Sequence, residues 1–220
     1  MKVELSYLGY LAGGLEVTLG VGIASLILTI ALSICVGVAR AEQLRWIAGV
    51  LRIYVDIFRG TSLLVQLFWL FYCLPLIGLN IPPFATGVLA IGLNSGAYGS
   101  EIVRGALLSV SAHQIEAAKA LGFHRWYTLF LISLPQAIRE TIPAFGNVAI
   151  SIMKDTALVS LISLTDVAFR AQQLRSFTYD NSRIYALTLC IYFAIALVLM
   201  LIRWLLERSF SQGRRLAHRI

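Results

Sequence analysis

Long uncharged stretches alternate with short charged segments along the chain. Residues 17–39 carry no charge over 23 positions, which is enough for one membrane-spanning helix, because a span needs about 20 apolar residues. Residues 60–100 carry no charge over 41 positions, which is too long for a single span. Prolines and turn residues at 75–83 interrupt this stretch, since proline cannot continue a helix. The pattern therefore predicts two helices here, at 61–76 and 84–109.

The second half of the chain predicts two more spans, at 136–153 and 184–202. The uncharged part of the first, 141–153, has only 13 residues, so we expect other protein to shield part of it from lipid. Between the two spans, residues 166–183 carry charges of both signs and predict a polar, partly helical outer segment. Residues 1–14 mix apolar and polar positions and predict an interfacial helix or arm rather than a span.

The distribution of Lys and Arg predicts how the spans are oriented, because cytoplasmic loops carry an excess of both. The segment after the first span contains Arg40, Arg45, Arg52 and Arg59, with Trp46 and Tyr54 as expected interface anchors. We predict that this segment is a cytoplasmic loop and that the basic tail, residues 203–220, is also cytoplasmic. The expected fold is all-α, with five transmembrane helices in a single domain over residues 1–220. The N-terminus lies outside and the C-terminus inside.

Composition supports a membrane protein, because 59% of the residues are hydrophobic and only 13% are charged. Soluble domains are usually about 45–50% apolar and about 25% charged. The net charge of +7 is explained by the cytoplasmic segments, so we predict no nucleic-acid partner. Neither the three cysteines nor the three histidines are spaced as metal ligands, and we predict neither a disulfide nor a metal site. These residues are Cys35, Cys73, Cys190, His113, His124 and His218.

The stretch 114–135 is the longest run outside the two ends that does not fit a plain membrane helix. Its apolar positions Ile115 and Ala118 fall on one helical face, and Gly122 stands where a short helix would end. A second short apolar segment follows and is expected to stop at Pro135. The spacing predicts two short helices joined at a glycine, which would form a compact docking surface. The alternative is a solvated amphipathic loop with a basic face.

The helix predicted at 84–109 carries a polar stripe formed by Asn94, Tyr98, Glu101 and Gly105. A carboxylate within a membrane helix is costly and usually faces a cavity, so Glu101 is a candidate to bind an ammonium group of a substrate. The alternative is an ion pair with Arg104, three residues on. Gly96 and Gly99 lie on a face of small residues, which favours helix packing over ligand binding.

Several motifs together resemble those of a known family. Glu116-Ala117-Ala118, Gly122 and Leu134-Pro135 resemble the EAA loop of bacterial ABC importer permeases. Residues 58–63, 97–106 and 154–158 are similar to segments of the branch of that family that takes up polar amino acids. The resemblance covers roughly residues 10–210. Ser62 stands where the family usually has proline, and His113 where it usually has glycine, but we do not expect His113 to abolish docking.

The resemblance implies a transmembrane subunit, not an enzyme, of an ATP-driven importer in the bacterial inner membrane. It implies that the loop 112–135 inserts into a cleft of a cytoplasmic ATPase, whose closure switches the membrane helices between inward- and outward-facing states. The implied coupling residues are Glu116, Ala117, Ala118, Gly122, Leu134 and Pro135. The chain lacks a phosphate-binding Gly-rich motif, so ATP and Mg are expected on the ATPase. The other implied partners are a second permease subunit, a second ATPase subunit, an extracytoplasmic solute-binding protein, membrane lipid and a small polar amino acid or similar zwitterion.

The resemblance also implies roles in the transport pathway. Its residues would be Asn94, Tyr98, Glu101, Lys154, Asp155 and Thr156, with Arg59, Gly96 and Gly99 in gating or packing. Arg59 could instead be a simple cytoplasmic anchor, and Lys154 and Asp155 could pair with neighbours. The alternative function is a membrane scaffold or sensor subunit whose loop recruits a partner without transport. The sequence leaves open which zwitterion is carried and whether the second subunit is identical.

Overall fold

The computed structural model describes residues 2–43 and 45–217, and every regular element within those residues is helical. Residue 1 of the predicted arm, residues 218–220 of the predicted tail and therefore His218 lie outside the described residues. The side chain of Trp46, expected as an interface anchor, lies outside them as well.

Ten α-helices follow one another in the described residues. They are α1 (Lys2–Ala12), α2 (Leu15–Ala41), α3 (Arg45–Gly60), α4 (Leu63–Phe68), α5 (Pro83–Leu108), α6 (Ala112–Ala120), α7 (Arg125–Thr128), α8 (Leu134–Asp155), α9 (Val167–Thr178) and α10 (Asn181–Ala217). Wide π-turns at Trp69–Cys73 and Leu129–Ser133 continue α4 and α7, and 3₁₀ turns at Leu74–Ile77 and Thr156–Ile162 extend α4 and α8.

Three helical segments are long and apolar enough to cross a membrane: Ser6–Ala41, Arg125–Ile162 and Asn181–Ser209. A fourth arises if α3 and the run Leu63–Ile77 count as one broken span, bent by 107°. Among the described helices, α5 is not one of these candidates. It packs against α2, α3, α4 and α8, and it is rich in glycine, serine and other small residues. A helix shielded by protein on several sides does not need an apolar surface.

Helices α2 and α5 are in extensive contact, and glycines of α5 pack against side chains of α2. A β-carbon added at Gly92 would lie 2.6 Å from the side chain of Leu28, and one at Gly96 would lie 3.0 Å from Leu32. A β-carbon at Gly99 would overlap the hydroxyl group of Ser33. The absence of side chains at these positions lets the two backbones approach closely, as is common in membrane helix pairs. We call this contact the α2–α5 seam.

The prediction of a loop after the first span is wrong, because most of that segment forms helix α3. Its apolar residues recur at helical spacing, so one face can be buried. Val55 is fully buried and packs with Val36 of α2 and Ala97 of α5, and Leu51 and Phe58 border the same cluster. The arginines of this segment made it resemble a charged loop, although its apolar residues follow the spacing of an amphipathic helix.

The prediction that Pro135 ends a short helix is also wrong. Pro135 stands in the first turn of α8, where proline is tolerated because the first N–H groups of a helix lack intrahelical partners. The π-turn Leu129–Ser133 leads directly into it, so helical structure continues from Arg125 to Ile162. The short uncharged run at 141–153 is thus only the middle of a much longer helical segment.

The N-terminal segment takes the helical one of its two predicted forms, and the C-terminal end is more helical than expected. The predicted arm at 1–14 contains α1, which is followed by a short break before α2. The predicted helix at 184–202 is the middle of α10, which continues to Ala217. The described part of the basic tail is therefore a helical extension, not a separate segment. Cys35, Cys73 and Cys190 are unbonded and exposed on the chain surface.

Candidate coupling loop and transport pathway

Helix α6 ends in a compact backbone motif at Gly122. The N–H of Phe123 donates to the carbonyl oxygen of Ala118 at 3.0 Å, and the N–H of Gly122 donates to that of Lys119 at 2.9 Å. Gly122 has a φ of 79°, the left-handed conformation that glycine adopts without strain. These two bonds are the Schellman arrangement, which satisfies the last carbonyl groups of a helix. The predicted glycine joint between two short helices is present.

The chain turns from Gly122 into α7, and the base of the loop packs on the membrane helices. His124 caps α7, since its Nδ1 atom accepts a hydrogen bond from the N–H of Trp126 at 3.4 Å. Leu129 is almost fully buried and packs with Val103 and Leu107 of α5. The loop is therefore anchored at its base, while its tip extends outward.

The tip of the loop presents both charged and apolar groups to the outside. The side chain of Glu116 is 72% exposed, and Ala117 is also exposed, whereas Ala118 is buried against the rest of the loop. Leu121 is 74% exposed although it is fully apolar. Further exposed apolar side chains follow on α7 and the π-turn: Trp126, Tyr127, Phe130 and Leu131. Exposed apolar side chains on the same loop as an exposed carboxylate are typical of a protein-docking site.

The two remaining predicted coupling residues, Leu134 and Pro135, lie at the start of α8. Leu134 borders the cluster that fixes the base of the loop, and Pro135 is exposed. Polar contacts hold this part to its neighbours. The side-chain amide of Gln136 donates to Gln114 of α6 at 2.8 Å. A hydrogen bond therefore joins the start of the loop, in α6, to the start of α8 at its end.

Glu101 lies among three arginines at the junction of α2, α3 and α5. One carboxylate oxygen bonds to Arg40 and lies 3.8 Å from Arg59, and the other lies 2.9 Å from Arg104. The guanidinium of Arg59 also stands over the ring of Tyr98, 5.2 Å from its centre. The predicted pair with Arg104 is present, together with a contact to Arg40 that sequence reasoning missed.

This cluster carries more positive than negative charge, and both oxygens of Glu101 already have cationic partners. An ammonium group would have to compete with guanidinium groups for the same carboxylate. The geometry thus favours the ion-pair interpretation of Glu101 over the ammonium-binding one. No sequence spacing could have identified Arg40, because it lies 61 residues away on another helix.

Asn94 lies about two helical turns before Glu101 in α5 and contacts the same bend. Its side-chain N–H₂ donates to the carbonyl oxygen of Phe58 at 2.9 Å and to Gln66 at 3.1 Å. The hydroxyl of Tyr98 donates to the carbonyl oxygen of Arg59 at 3.3 Å. The structure therefore brings Asn94, Tyr98, Glu101 and Arg59 together at the bend between α3 and α4. In this arrangement, Asn94 and Tyr98 satisfy backbone groups that the bend leaves unpaired.

Lys154, Asp155 and Thr156 lie apart from that junction, at the end of α8. Thr156 is buried and donates to the carbonyl oxygen of Met153 at 2.7 Å. Lys154 lines an open cavity of about 590 Å³ between α8 and α10. Polar groups of both helices share its wall: Asn147, Ser151, Arg203 and Glu207. Arg203 and Glu207 form an ion pair at 2.9 Å, and neither was singled out from the sequence.

A buried carboxylate at Asp166 holds the start of α9. It accepts hydrogen bonds from the N–H groups of Phe169 at 2.8 Å and Ala168 at 3.2 Å, and from the hydroxyl of Tyr192 at 3.2 Å. Burial raises the pKa of the Asp166 carboxyl above its ordinary value, although these hydrogen bonds act against that shift. An aspartate before a helix is a recognisable capping signal, and the sequence interpretation overlooked it. Among the described residues, no group of three or more His, Cys, Asp or Glu side chains is arranged to hold a metal ion.

Comparison with known proteins places the chain in a family. Residues 30–212 match the family described as "Binding-protein-dependent transport system inner membrane component". The chain is 46% identical to a probable amino-acid ABC transporter permease protein, y4tF, of Sinorhizobium fredii, over 97% of this chain and 94% of that protein. It is 38% identical to the L-cystine transport system permease protein TcyB of Bacillus subtilis, over 96% and 90%. It is also 34% identical to the glutamine transport system permease protein GlnP of Escherichia coli, over 90% and 91%.

Solved structures agree with this assignment. A chain of the crystal structure titled as an amino acid ABC transporter with histidines superposes with a TM-score of 0.86 at 32% identity, covering 93% of this chain and 96% of that one. A chain of the MetNI methionine ABC transporter shares the fold, with a TM-score of 0.77 at 18% identity. The family match favours the transporter over the scaffold or sensor alternative. The chain thus belongs to the family of membrane components of binding-protein-dependent transport systems: it is a multi-pass permease subunit of an ABC importer and not an enzyme.

Proposed function

We propose that this permease subunit imports a polar amino acid or a similar zwitterion across the bacterial inner membrane. Two relatives are named as permease proteins of L-cystine and glutamine transport systems, and both of these amino acids are zwitterions. The two relatives are 38% and 34% identical to this chain. The cavity beside Lys154 has groups of both charge signs, as a zwitterion requires. Lys154, Asp155 and Thr156 are the residues we assign to the substrate pathway on this side of the molecule.

The five-span arrangement is part of the proposal. Its spans are the helices within 17–39, 61–76, 84–109, 136–153 and 184–202, with the N-terminus outside and the C-terminus inside. Three of the five spans correspond to the long apolar segments. The other two are the run Leu63–Ile77 and helix α5, which protein shields on several sides. The arginine-rich ends of α2, α3 and α10 would then share the cytoplasmic side with the coupling loop.

The observation that carries the proposal is the form of the coupling loop. A rigid turn at Gly122 presents Glu116 and an apolar surface outward, while its base continues helically into α8. A push on the loop would therefore reach Lys154 through one continuous helical segment, which contains Pro143 in its interior. Glu116 would pair with a basic group of a cytoplasmic ATPase, and Gly122 would permit close approach.

The remaining partners follow from this role. We infer a second permease subunit, two ATPase subunits that bind ATP and Mg, and an extracytoplasmic solute-binding protein that delivers the substrate. ATP-driven closure of the ATPases would move the two coupling loops together and switch the pathway between its two openings. Glu101 and its arginines would hold the bend between α3 and α4 at the cytoplasmic end of that pathway.

The test is ATP-dependent uptake in vesicles that contain the complete transporter. We expect Glu116→Lys to reduce uptake of the amino acid at least tenfold, because it reverses the charge at the docking surface. Gly122→Asp should act similarly, because it adds a charged side chain at the point of close approach to the ATPase. The matched control is Asp56→Lys, which makes the same charge change at an exposed carboxylate of α3, outside the loop.

Both loop variants should still assemble in the membrane, as judged by size-exclusion chromatography in detergent. Unchanged uptake in both of them would contradict the docking role of the loop. If the unmodified transporter took up no amino acid under any condition, the substrate assignment would be wrong.

A further inference from the structure

The coupling loop is fastened to α2 by a pair of residues outside the motifs named above. The guanidinium of Arg125, the first residue of α7, bonds to the carboxylate of Glu42 and also donates to the backbone carbonyl oxygen of Glu42. Glu42 is mostly buried, with 19% of its side chain exposed, whereas Arg125 is about half exposed. The two residues are 83 positions apart in the sequence.

Glu42 is well placed to transmit a force, because it caps the end of α2. Its N–H bonds to the carbonyl oxygen of Val38, four residues back in the helix. The last carbonyl groups of a helix lack intrahelical partners, and the helix dipole places partial negative charge there. A guanidinium that bonds both the side chain and the backbone of Glu42 satisfies this end directly. An exposed ion pair is usually weak, but here the guanidinium bonds to two groups of Glu42, whose side chain is mostly buried.

The far end of α2 reaches the proposed substrate pathway. A helix of 27 residues is about 40 Å long. Near its start, a β-carbon added at Gly22 would collide with the side chain of Met153 and would touch Thr156. The hydroxyl oxygen of Thr18 accepts a hydrogen bond from the N–H of Val167 at 3.2 Å. Helix α2 therefore connects the coupling loop to the end of α8 and to the start of α9.

We propose that Arg125 is a positioning residue that fastens the coupling loop to α2 through Glu42. Loop movement then reaches Lys154–Thr156 by two helical routes, along α8, which has Pro143 in its interior, and along α2. This inference rests on the proposed function, since it concerns how that transporter couples ATP to uptake. Close packing along the α2–α5 seam keeps α2 from deforming, because well-packed interiors transmit displacement. A contact between Ser109 of α5 and Glu140 of α8, at 2.8 Å, reinforces the same end.

The experiment measures coupling in vesicles that contain the complete transporter and its substrate-loaded binding protein. The readout is the number of amino-acid molecules taken up per ATP hydrolysed. We expect Arg125→Glu and Glu42→Arg each to lower this ratio about threefold or more, as mutations along a coupling route do. The double variant, with the two charges exchanged, should restore the ratio to within about twofold of the unmodified protein. Such a rescue would show that the two side chains act as a pair, and a lowered ratio in single variants that still assemble would separate a coupling role from a merely structural one.

The matched control is Arg139→Glu, which makes the same charge change at an exposed position of α8 near the same end of the molecule. It should leave the ratio unchanged. If the charge reversals prevent assembly, Arg125→Gln and Arg125→Lys replace them, and lysine should retain more coupling than glutamine.

The outcomes separate the two proposals. If the unmodified transporter hydrolyses ATP without importing an amino acid, the proposed function fails. If it imports normally and every variant at 42 and 125 keeps the normal ratio, the positioning role of Arg125 is wrong. It is also wrong if the assembled double variant is no better than the single ones.

Discussion

The coupling loop and the α2–α5 seam are both rich in small residues, but these residues serve opposite purposes. In the seam, Gly92, Gly96 and Gly99 leave out side chains so that a neighbouring helix can fill the space. In the loop, nothing lies within 4 Å of a β-carbon added at Gly122, and the glycine is needed for its positive φ. One region uses glycine for packing and the other for backbone conformation.

The two regions therefore differ in what they can do: the seam is tightly packed, and the loop is exposed and can bind a partner. The seam is buried and fixes α2 against α5, so it has no surface to offer a partner. The loop keeps its shape through local hydrogen bonds and a packed base, and its apolar side chains remain exposed. The proposed coupling to an ATPase needs both features. The loop must offer an exposed, ordered contact, and the packed helices must move without deforming.

The largest expected effect is in the seam. Gly99→Leu should lower the free energy of unfolding by about 3 kcal/mol or prevent folding, because the new side chain overlaps Ser33. The matched control, Gly105→Leu, lies on the same helix where nothing is within 4 Å of the added β-carbon, and it should be tolerated. Thermal unfolding in detergent measures both. Equal losses in the two variants would mean that the seam is not tightly packed.

The next effect tests the loop. Gly122→Val should cost about 1–2 kcal/mol locally, since a side chain disfavours the left-handed conformation. Gly122→Asn should be milder, because asparagine adopts this conformation more readily. Protection of the α6 amides from hydrogen exchange reports the change. If valine and asparagine were equally tolerated, backbone conformation would not be what keeps the loop ordered.

A smaller effect is expected at the start of α9, which contacts α2 through Thr18 and is capped by Asp166. Asp166→Ala removes the cap of α9 and should lower the free energy of unfolding by about 1 kcal/mol. Asp166→Asn keeps a capping side chain and should cost less. Limited proteolysis at the start of α9 would detect the loosening, and equal resistance in all three proteins would argue against the cap.

The same carboxyl predicts a pH effect. Burial raises the pKa of Asp166, so the folded state binds this proton more tightly than the unfolded state does. Its contribution to stability is complete below the unfolded pKa, about 4, and is lost as the pH rises through the folded pKa. Over a pH range that begins at about 4 and rises, the unmodified protein should lose stability relative to Asp166→Asn. A constant difference across that range would contradict the shift.

The smallest effect is expected at His113, where the resembling family usually has glycine. Its side chain is 95% exposed and lies 3.8 Å from Glu116, so the pair is worth little in water. His113→Gly should leave uptake within about twofold of the unmodified transporter. A large loss would show that the residue contacts the ATPase directly.

Local patterns revealed much of the molecule before any fold was known. Uncharged runs predicted the long apolar helices, the glycine at 122 predicted the joint, and the loop motif predicted the family. The sequence interpretation failed at α3 and at Pro135. At α3, arginines on one face concealed a buried apolar face. At Pro135, a wide turn before the proline let the helix continue, and such turns have no clear sequence signal.

The sequence by itself determined where the long apolar helices lie and which family the chain resembles, because these depend on neighbouring residues. Only the tertiary structure brought Arg40 to Glu101, Glu42 to Arg125 and Gly22 to Met153. These partners are 61, 83 and 131 positions apart, and helix packing alone determines such distant contacts. The folded chain thereby showed that the candidate substrate-binding carboxylate is held by arginines, and that α2 lies between the coupling loop and the proposed pathway.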